Sequence, residues 1–212
     1  MKLLDVSLST PQENLIFDET LLNECEENGG EVLRFWSPKD YFVVLGYSNK
    51  ADEEVHTEFC EKNNIPILRR ISGGGTVLQG TGCLNYSLIL KIKNYAGLVS
   101  VTSTNRFIME KHADALSKLL KKLIEVKGHT DLVFNDLKFS GNAQRRKRNA
   151  VLFHGTFLVE FNIALIEKAL KIPLKQPGYR QSRPHEKFLM NLSVPQEAIK
   201  DVLKKIWAED VL

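Results

Sequence analysis

The chain has 212 residues, 43% hydrophobic and 26% charged, with a formal net charge of +3. That length suits one large domain or two small ones, and the balance is that of an ordinary soluble globular protein with a substantial core. The charge is too mild to argue for nucleic acid, and no apolar run is long enough to span a bilayer. The start, MKLLDVSLSTPQENL, turns polar early and has no signal-peptide core. Cys25, Cys60 and Cys83 form no CxxC pair and no metal-ligand cluster with histidine, which suits a reducing, cytoplasmic setting without a structural metal.

Residues 11 to 27, PQENLIFDETLLNECEE, place Leu15, Ile16, Leu21 and Leu22 near one helical face, and the NGG at 28 to 30 stops that helix. EVLRFWS and YFVVLGYS read as two strands separated by the turn SPKD. ADEEVHTEFCEKNN reads as one short helix. Pro66 in IPILRR opens a strand that delivers the chain to a glycine-rich loop, and CLNYSLILKI is a longer strand leaving it. From 101 to 123, Phe107, Ile108, Ala115, Leu116, Leu119, Leu120 and Leu123 recur at helix spacing. DLVFNDLKFSG and AVLFHGTFLVEFN read as antiparallel strands either side of the basic run QRRKR. IALIEKAL and PQEAIKDVLKKIWAEDVL are helices, with the loop KIPLKQPGYRQSRPHEKF between them. With no repeat or linker, the expectation is one α+β domain whose strands are mostly hairpin-linked, not alternating βαβ units.

The glycine loop, RRISGGGTVLQGTG at 69 to 82, lies between two strands and lacks GK[ST], so it is neither a P-loop nor a dinucleotide fingerprint. Bare backbone lets a ligand approach closely and directs N–H groups at it. Arg69 and Arg70 alternate sides of an extended strand, so one can face that ligand and pair with a carboxylate or phosphate. The same glycines also fit a plain hairpin or bulge. Lys138, between Leu137 and Phe139, either faces solvent or points into a cleft as a compact cation suited to carboxylate and phosphate in turn.

RRISGGGTV, LKFSGNAQRRKRNAVLFHGTFL and the N-L-x-x-D-E of Asn14 to Glu19 together resemble the lipoate–protein ligase and octanoyltransferase family. LRFWSPKDYFVVLGYSNK and QPGYRQSRPHEKFLMNL are similar to further segments of it, so the likeness runs in order from about residue 14 to 192. It implies a single catalytic domain over 1–212 of the biotin ligase and class II aminoacyl-synthetase type, a mixed, largely antiparallel sheet flanked by helices. It further implies that lipoate, or octanoate, is activated by ATP with Mg²⁺ to an acyl-adenylate. The acyl group then passes to a lysine of an acceptor lipoyl domain, in an E2 subunit or a carrier like the glycine-cleavage H protein. The family lysine matches Lys138, which the resemblance makes the catalytic residue and a contact of both ATP and lipoate. Arg70, Gly75, Thr76, Val77 and Leu78 match the nucleotide segment. Ser72, Gly73 and Gly74, with Trp36, Asn85 and His154, match the lipoate pocket. Trp36 also reads as plain core, and His154 as a hydrogen-bonded buried histidine.

Two departures stand out. Well-known ligases carry HDLGN after the glycine loop, where this chain has QGTGC, so Gln79 takes the histidine's place. The matched segments end about twenty residues before Leu212, so no C-terminal accessory domain is expected and a separate chain is the alternative source of that function. The competing readings are an ATP-independent octanoyltransferase using Cys83 as acyl-thioester carrier, and a non-catalytic binding protein on the same fold. Against the first, Cys83 also reads as the first apolar residue of a buried strand. Arg180 and Arg183 read as structural residues or as contacts of the nucleotide, and QRRKR as a solvated hairpin tip or a docking patch for an acidic acceptor.

Overall fold

The computed structural model describes residues 1–173 and 175–208. Its strands are β1 (Lys2–Asp5), β2 (Val32–Trp36), β3 (Phe42–Leu45), β4 (Ile67–Arg69), β5 (Val77–Gln79), β6 (Cys83–Lys91), β7 (Glu125–Lys127), β8 (Asp131–Phe134), β9 (Leu137–Arg146) and β10 (Ala150–Leu158). Its α-helices are α1 (Pro11–Asn28), α2 (Ala51–Glu54), α3 (Thr57–Lys62), α4 (Val101–Leu120), α5 (Ala164–Ala169), α6 (His185–Phe188) and α7 (Gln196–Ala208). A seven-stranded sheet runs β1-β2-β6-β10-β9-β8-β7, and a three-stranded sheet runs β4-β3-β5. This is the expected α+β architecture with a mixed, largely antiparallel sheet.

Several local readings change. The turn SPKD does not join a hairpin, because β2 pairs with β1 and β6 in the large sheet while β3 pairs with β4 and β5 in the small one. Two pairs, β1–β2 and β3–β4, are parallel, so α1 and the α2–α3 pair serve as βαβ crossovers that the hairpin reading missed. ADEEVHTEFCEKNN is two short helices rather than one. DLVFNDLKFSG is not one strand but a tight hairpin, with Asn135 and Asp136 both at positive φ (50° and 62°) between β8 and β9. Of QRRKR, the first three residues lie inside β9 and their side chains are engaged: Gln144 donates to Val101 O, Arg145 lies over the Tyr47 ring and Arg146 donates to Thr104. The end of the last predicted helix, 209–212, lies outside the described residues.

Helix α1 begins at a reciprocal capping box between Thr10 and Glu13 and ends at Gly29, whose φ of 77° only glycine adopts without strain. Its buried face is Asn14, Asp18, Leu21, Leu22 and Cys25; Ile16 is 53% exposed and does not belong to it. Leu123, placed on the apolar face of the fourth helix from its spacing, lies beyond α4 and is exposed. Asp18 pairs with the fully buried Arg34 at 2.7 Å and accepts from Ser87 Oγ at 2.6 Å. Arg34 also donates to Asn14 O and Val6 O, to the Asn14 side chain, and stacks on Phe17 and Trp36. Burial pushes the Asp18 carboxyl above its ordinary value, while Arg34 and Ser87 oppose that rise.

One face of the large sheet packs Leu33, Phe35, Leu88, Phe153 and Phe157 against Ile108 and Leu116 of α4 and Leu203 and Trp207 of α7. There the Trp207 indole donates to His112 Nε2 at 2.9 Å, and burial, aided by Lys111, lowers the His112 pKa to about 3. His112 is therefore neutral when folded and titrates near 6.5 when unfolded. Its contribution is full above pH 6.5 and is lost as pH falls toward 3. Between pH 6.5 and 5 this removes about 2 kcal/mol. Denaturant midpoints of the protein and of His112→Gln, whose amide oxygen still accepts from Trp207, should differ in slope by about one proton across that window. Equal slopes would mean that His112 is not the group responsible.

Candidate active site

The opposite face of the sheet is covered at one end by α1, through Leu21, Leu22, Ile89 and Leu152, and elsewhere by the small sheet. The glycine loop crosses this face above β9 and β10. A Cβ at Gly74 would lie 3.6 Å from Ala143 Cβ of β9, and Ser72 Oγ lies 2.6 Å from His154 Nε2 of β10.

Arg70 shapes the loop from within. Its Nε donates to Ser72 Oγ (3.0 Å) and Gly73 O (3.2 Å), its Nη2 to Gly73 O (2.7 Å) and Gly75 O (2.8 Å), and its Nη1 to Val44 O (3.3 Å). The loop carbonyls turn inward onto the guanidinium, which directs the opposite side of the peptide planes outward. Burial lowers Arg70's pKa to about 10 despite the nearby Glu54. Ser72 Oγ thus accepts from Arg70 and shares a hydrogen bond with His154 Nε2, tying the loop to β10 through a neutral imidazole. Burial and the Arg70 charge agree with this, lowering the His154 pKa to about 3. Arg69 points the other way and clamps the carbonyls of Gly46, Tyr47 and Asn49.

The glycines differ in purpose. Gly74 has φ 90°, and Gly46 meets it so closely that a Cβ there would sit 2.2 Å from Gly74 O. A side chain at Gly73 or Gly75 would meet nothing of the protein within 4 Å. Internal packing therefore does not demand glycine at those two positions.

Lys138 reaches this face through an irregularity. Leu132 pairs with Ser140 but Val133 with Lys138, so Phe139 is an extra residue in β9. Phe139 turns into the α4–α7 core, and Lys138 lies over Gly141 on the other face, where a Cβ would come 2.8 Å from its Nζ. The side chain is 25% exposed and pairs with Asp131 Oδ1 at 2.7 Å. Asp131 Oδ2 accepts from the Tyr179 hydroxyl at 2.7 Å, and that hydroxyl's pKa is raised by burial and by Asp131. Lys138 thus lies along the sheet face in an ion pair and is only partly open to solvent.

Trp36 is 3% exposed and packs with Phe42 and Val44, yet its buried Nε1 has no partner among the described residues. Asn85 joins Gln79 and Thr156 in a closed ring: Asn85 Nδ2 donates to Gln79 Oε1 (2.9 Å), Gln79 Nε2 to Thr156 Oγ1 (2.9 Å), and Thr156 Oγ1 to Asn85 Oδ1. Gln79 is thus buried with both its amide nitrogen and its amide oxygen engaged. Thr76 N donates to the Glu54 carboxylate, which also accepts from Asn49 Nδ2, while Val77 and Leu78 pair with Val44 and Val43. Cys83 is fully buried among Val43, Leu45, Leu78 and Leu158, and burial pushes its thiol up to about 12.

Sequence reasoning missed Asp131, Tyr179 and Glu54 and, on the opposite, core-facing side of the sheet, Asn142. Asn142 accepts from the Tyr86 hydroxyl at 2.7 Å and sits where a Cβ at Gly155 would be, 1.7 Å away, which accounts for the glycine in HGT. Its position in SGNAQ was the available signal. Glu54 had none, lying on a four-residue helix far from the loop in sequence.

Residues 10–206 match the family model for the lipoyl protein ligase A/B catalytic domain. The chain is similar to lipoate-protein ligase A subunit 1 of Thermoplasma acidophilum, 29% identical over 178 residues that cover 78% of this chain and 66% of that protein. It is also similar to octanoyltransferase LipM of Carboxydothermus hydrogenoformans, 30% identical over 178 residues, 75% of this chain and 65% of that one. It therefore spans just under two thirds of the length of these relatives. A structure of an archaeal lipoylation system, the bi-partite lipoate protein ligase of Thermoplasma acidophilum, superposes with a TM-score of 0.83 at 24% identity, covering 98% of this chain and 82% of that one, and so shares the fold.

Proposed function

The chain belongs to the lipoyl protein ligase A/B catalytic-domain family, and from that premise we propose that it activates lipoate with ATP and transfers the acyl group to a lysine of a lipoyl domain. The observation that carries this reading is Lys138, held over Gly141 by Asp131 on the face crossed by the glycine loop. A lipoate carboxylate oxygen attacks the α-phosphorus, the bond to the bridging oxygen breaks, and pyrophosphate leaves with Mg²⁺. The acceptor amine then attacks the acyl carbon, AMP leaves, and the amine loses its proton to solvent. Negative charge gathers on adjacent oxygens in both steps, and one ammonium between them serves both. Gly75, Thr76, Val77 and Leu78 present backbone to the nucleotide. Ser72, Gly73, Gly74, Trp36, Asn85 and His154 enclose the acyl chain, and Arg70 holds the loop in shape. The acceptor is taken to be an E2 lipoyl domain or an H-protein-like carrier, and a second chain is a candidate requirement, since one relative is a ligase subunit.

The cysteine chemistry favours ATP over a thioester. A thiol pushed up to about 12 and enclosed in an apolar cluster provides no thiolate near neutral pH. Cys25 and Cys60 are buried as well, with their pKa values raised by burial. Cys83→Ser should therefore keep ATP-dependent acylation of a lipoyl domain, read by intact mass in the presence of lipoate, ATP and Mg²⁺, with and without a candidate second subunit. An ATP-independent acyl adduct on Cys83, formed from octanoyl-carrier protein, would replace the ligase reading with the transferase one.

A further inference from the structure

Arg180 is the most conspicuous charge that the proposed reaction leaves unused. It is 5% exposed, its Nη2 is buried with no hydrogen-bond partner, and among the described residues no carboxylate lies within ion-pairing distance of it. Its Nε donates to Arg183 O, and its guanidinium lies 4.8 Å from the Phe188 ring centre, so it is held in place without being neutralised. Burial lowers its pKa. A buried arginine in this state is costly unless an anion completes it.

Asp131 and Glu167 favour the charged form of Arg180 from beyond ion-pairing distance, while Arg183 opposes it. His185 on α6 is 7% exposed, and burial together with Arg180 and Lys138 lowers its pKa to about 4. The backbone of Leu189 bridges to Lys138, and Met190 N donates to Lys138 O, so this segment is fastened to the catalytic lysine's own strand. Tyr179, next to Arg180, donates to Asp131, the partner of Lys138. Gln181 and Ser182 follow with φ of 52° and 55°, two consecutive left-handed non-glycine residues. Such backbone is strained for a non-glycine residue and concentrates at functional sites. Both residues are exposed.

We propose that Arg180, with His185 and Lys138, forms an oxyanion subsite that receives the terminal phosphates of the nucleotide, the group that leaves as pyrophosphate. Its choice of ligand rests on the ATP-dependent reading, whereas the need for an anion rests on the buried, unpartnered guanidinium. Arginine's planar fork suits a phosphate.

The test is calorimetric binding of inorganic pyrophosphate, together with melting temperatures, for the full chain, Arg180→Met and Arg180→Lys. Pyrophosphate should bind the wild-type protein and raise its melting temperature. Arg180→Met should bind it at least about tenfold more weakly, while melting no lower than wild type in the absence of ligand, because an uncompensated charge has been removed. Arg180→Lys should retain part of the affinity. Wild-type protein that ignores pyrophosphate, or an Arg180→Met protein that melts lower yet keeps the pyrophosphate shift, would overturn the proposal and leave Arg180 structural. Loss of lipoate binding instead of pyrophosphate binding would also overturn it, assigning the subsite to the acyl carboxylate. Because the readout needs no turnover, pyrophosphate binding through Arg180 in a protein without ATP-dependent acylation would sink the ligase reading and leave the oxyanion site standing.

Discussion

Lys138→Ala is expected to lower acyl transfer at least a hundredfold, with little change in melting temperature. Removing a charge-assisted contact to a developing oxyanion costs about 3 kcal/mol or more at the transition state, and 1.4 kcal/mol is a factor of ten in rate. The fold loses little, because the Lys138 side chain is a quarter exposed and Asp131 keeps the Tyr179 hydroxyl as a donor. The loss should appear mainly in kcat, since the cation acts on charge that accumulates during each step rather than on bound substrate alone. Single-turnover measurement of adenylate formation and of transfer from preformed acyl-adenylate should show both steps slowed. A folded Lys138→Ala protein with wild-type turnover would remove Lys138 from the chemistry.

Asp18→Ala is expected to be the most damaging single change to stability at a distance from the site, at about 3–5 kcal/mol, because it leaves Arg34 buried and charged without its carboxylate. Arg34 is fully enclosed by α1, β2 and the ring faces of Phe17 and Trp36, so water cannot take over from Asp18. The double variant Asp18→Leu with Arg34→Met removes both charges and should cost less than the sum of the single variants, by more than about 1 kcal/mol. Urea denaturation of the three proteins measures the coupling. Additive losses would show that the pair does not act as a unit. Trp36 links this network to the site, since it stacks on Arg34 and lines the apolar cluster beside the glycine loop. Partial loss of lipoate affinity in a folded single variant would be the functional trace of that link.

Much of the glycine loop was legible because its contacts are local in sequence. The run of glycines and arginines at 69 to 75 forms one loop, and its carbonyls need a donor that only a neighbouring arginine reaches. The ends of α1 were legible for the same reason: caps are satisfied by residues three or four positions away. What the sequence did not disclose were the long-range partners. Asp131, Tyr179 and Lys138 are separated by stretches whose lengths carry no contact information, and Glu54 reaches Thr76 across two strands and a helix. Likewise, SPKD looked like a hairpin turn because a turn's composition says where the chain bends and not which strand it pairs with next.

Composition, periodicity and motif order by themselves determined an α+β chain, the existence of most helices and strands, and a glycine loop between two strands. Those follow from forces that act over a few residues: backbone sterics, capping and the burial of apolar faces. Only the tertiary structure decided which way Lys138 points. Strand alternation has a period of two, and without an interruption Lys138 would share a face with Ser140, whose side chain is buried on the side opposite the site. Phe139 is drawn into the core between the sheet and the α4–α7 pair, and that burial adds one residue to β9 opposite β8. The extra residue breaks the alternation and turns Lys138 onto the face of Gly141, Ala143 and His154. No local pattern announces such a bulge, because its cause is the packing of a distant pair of helices against one phenylalanine.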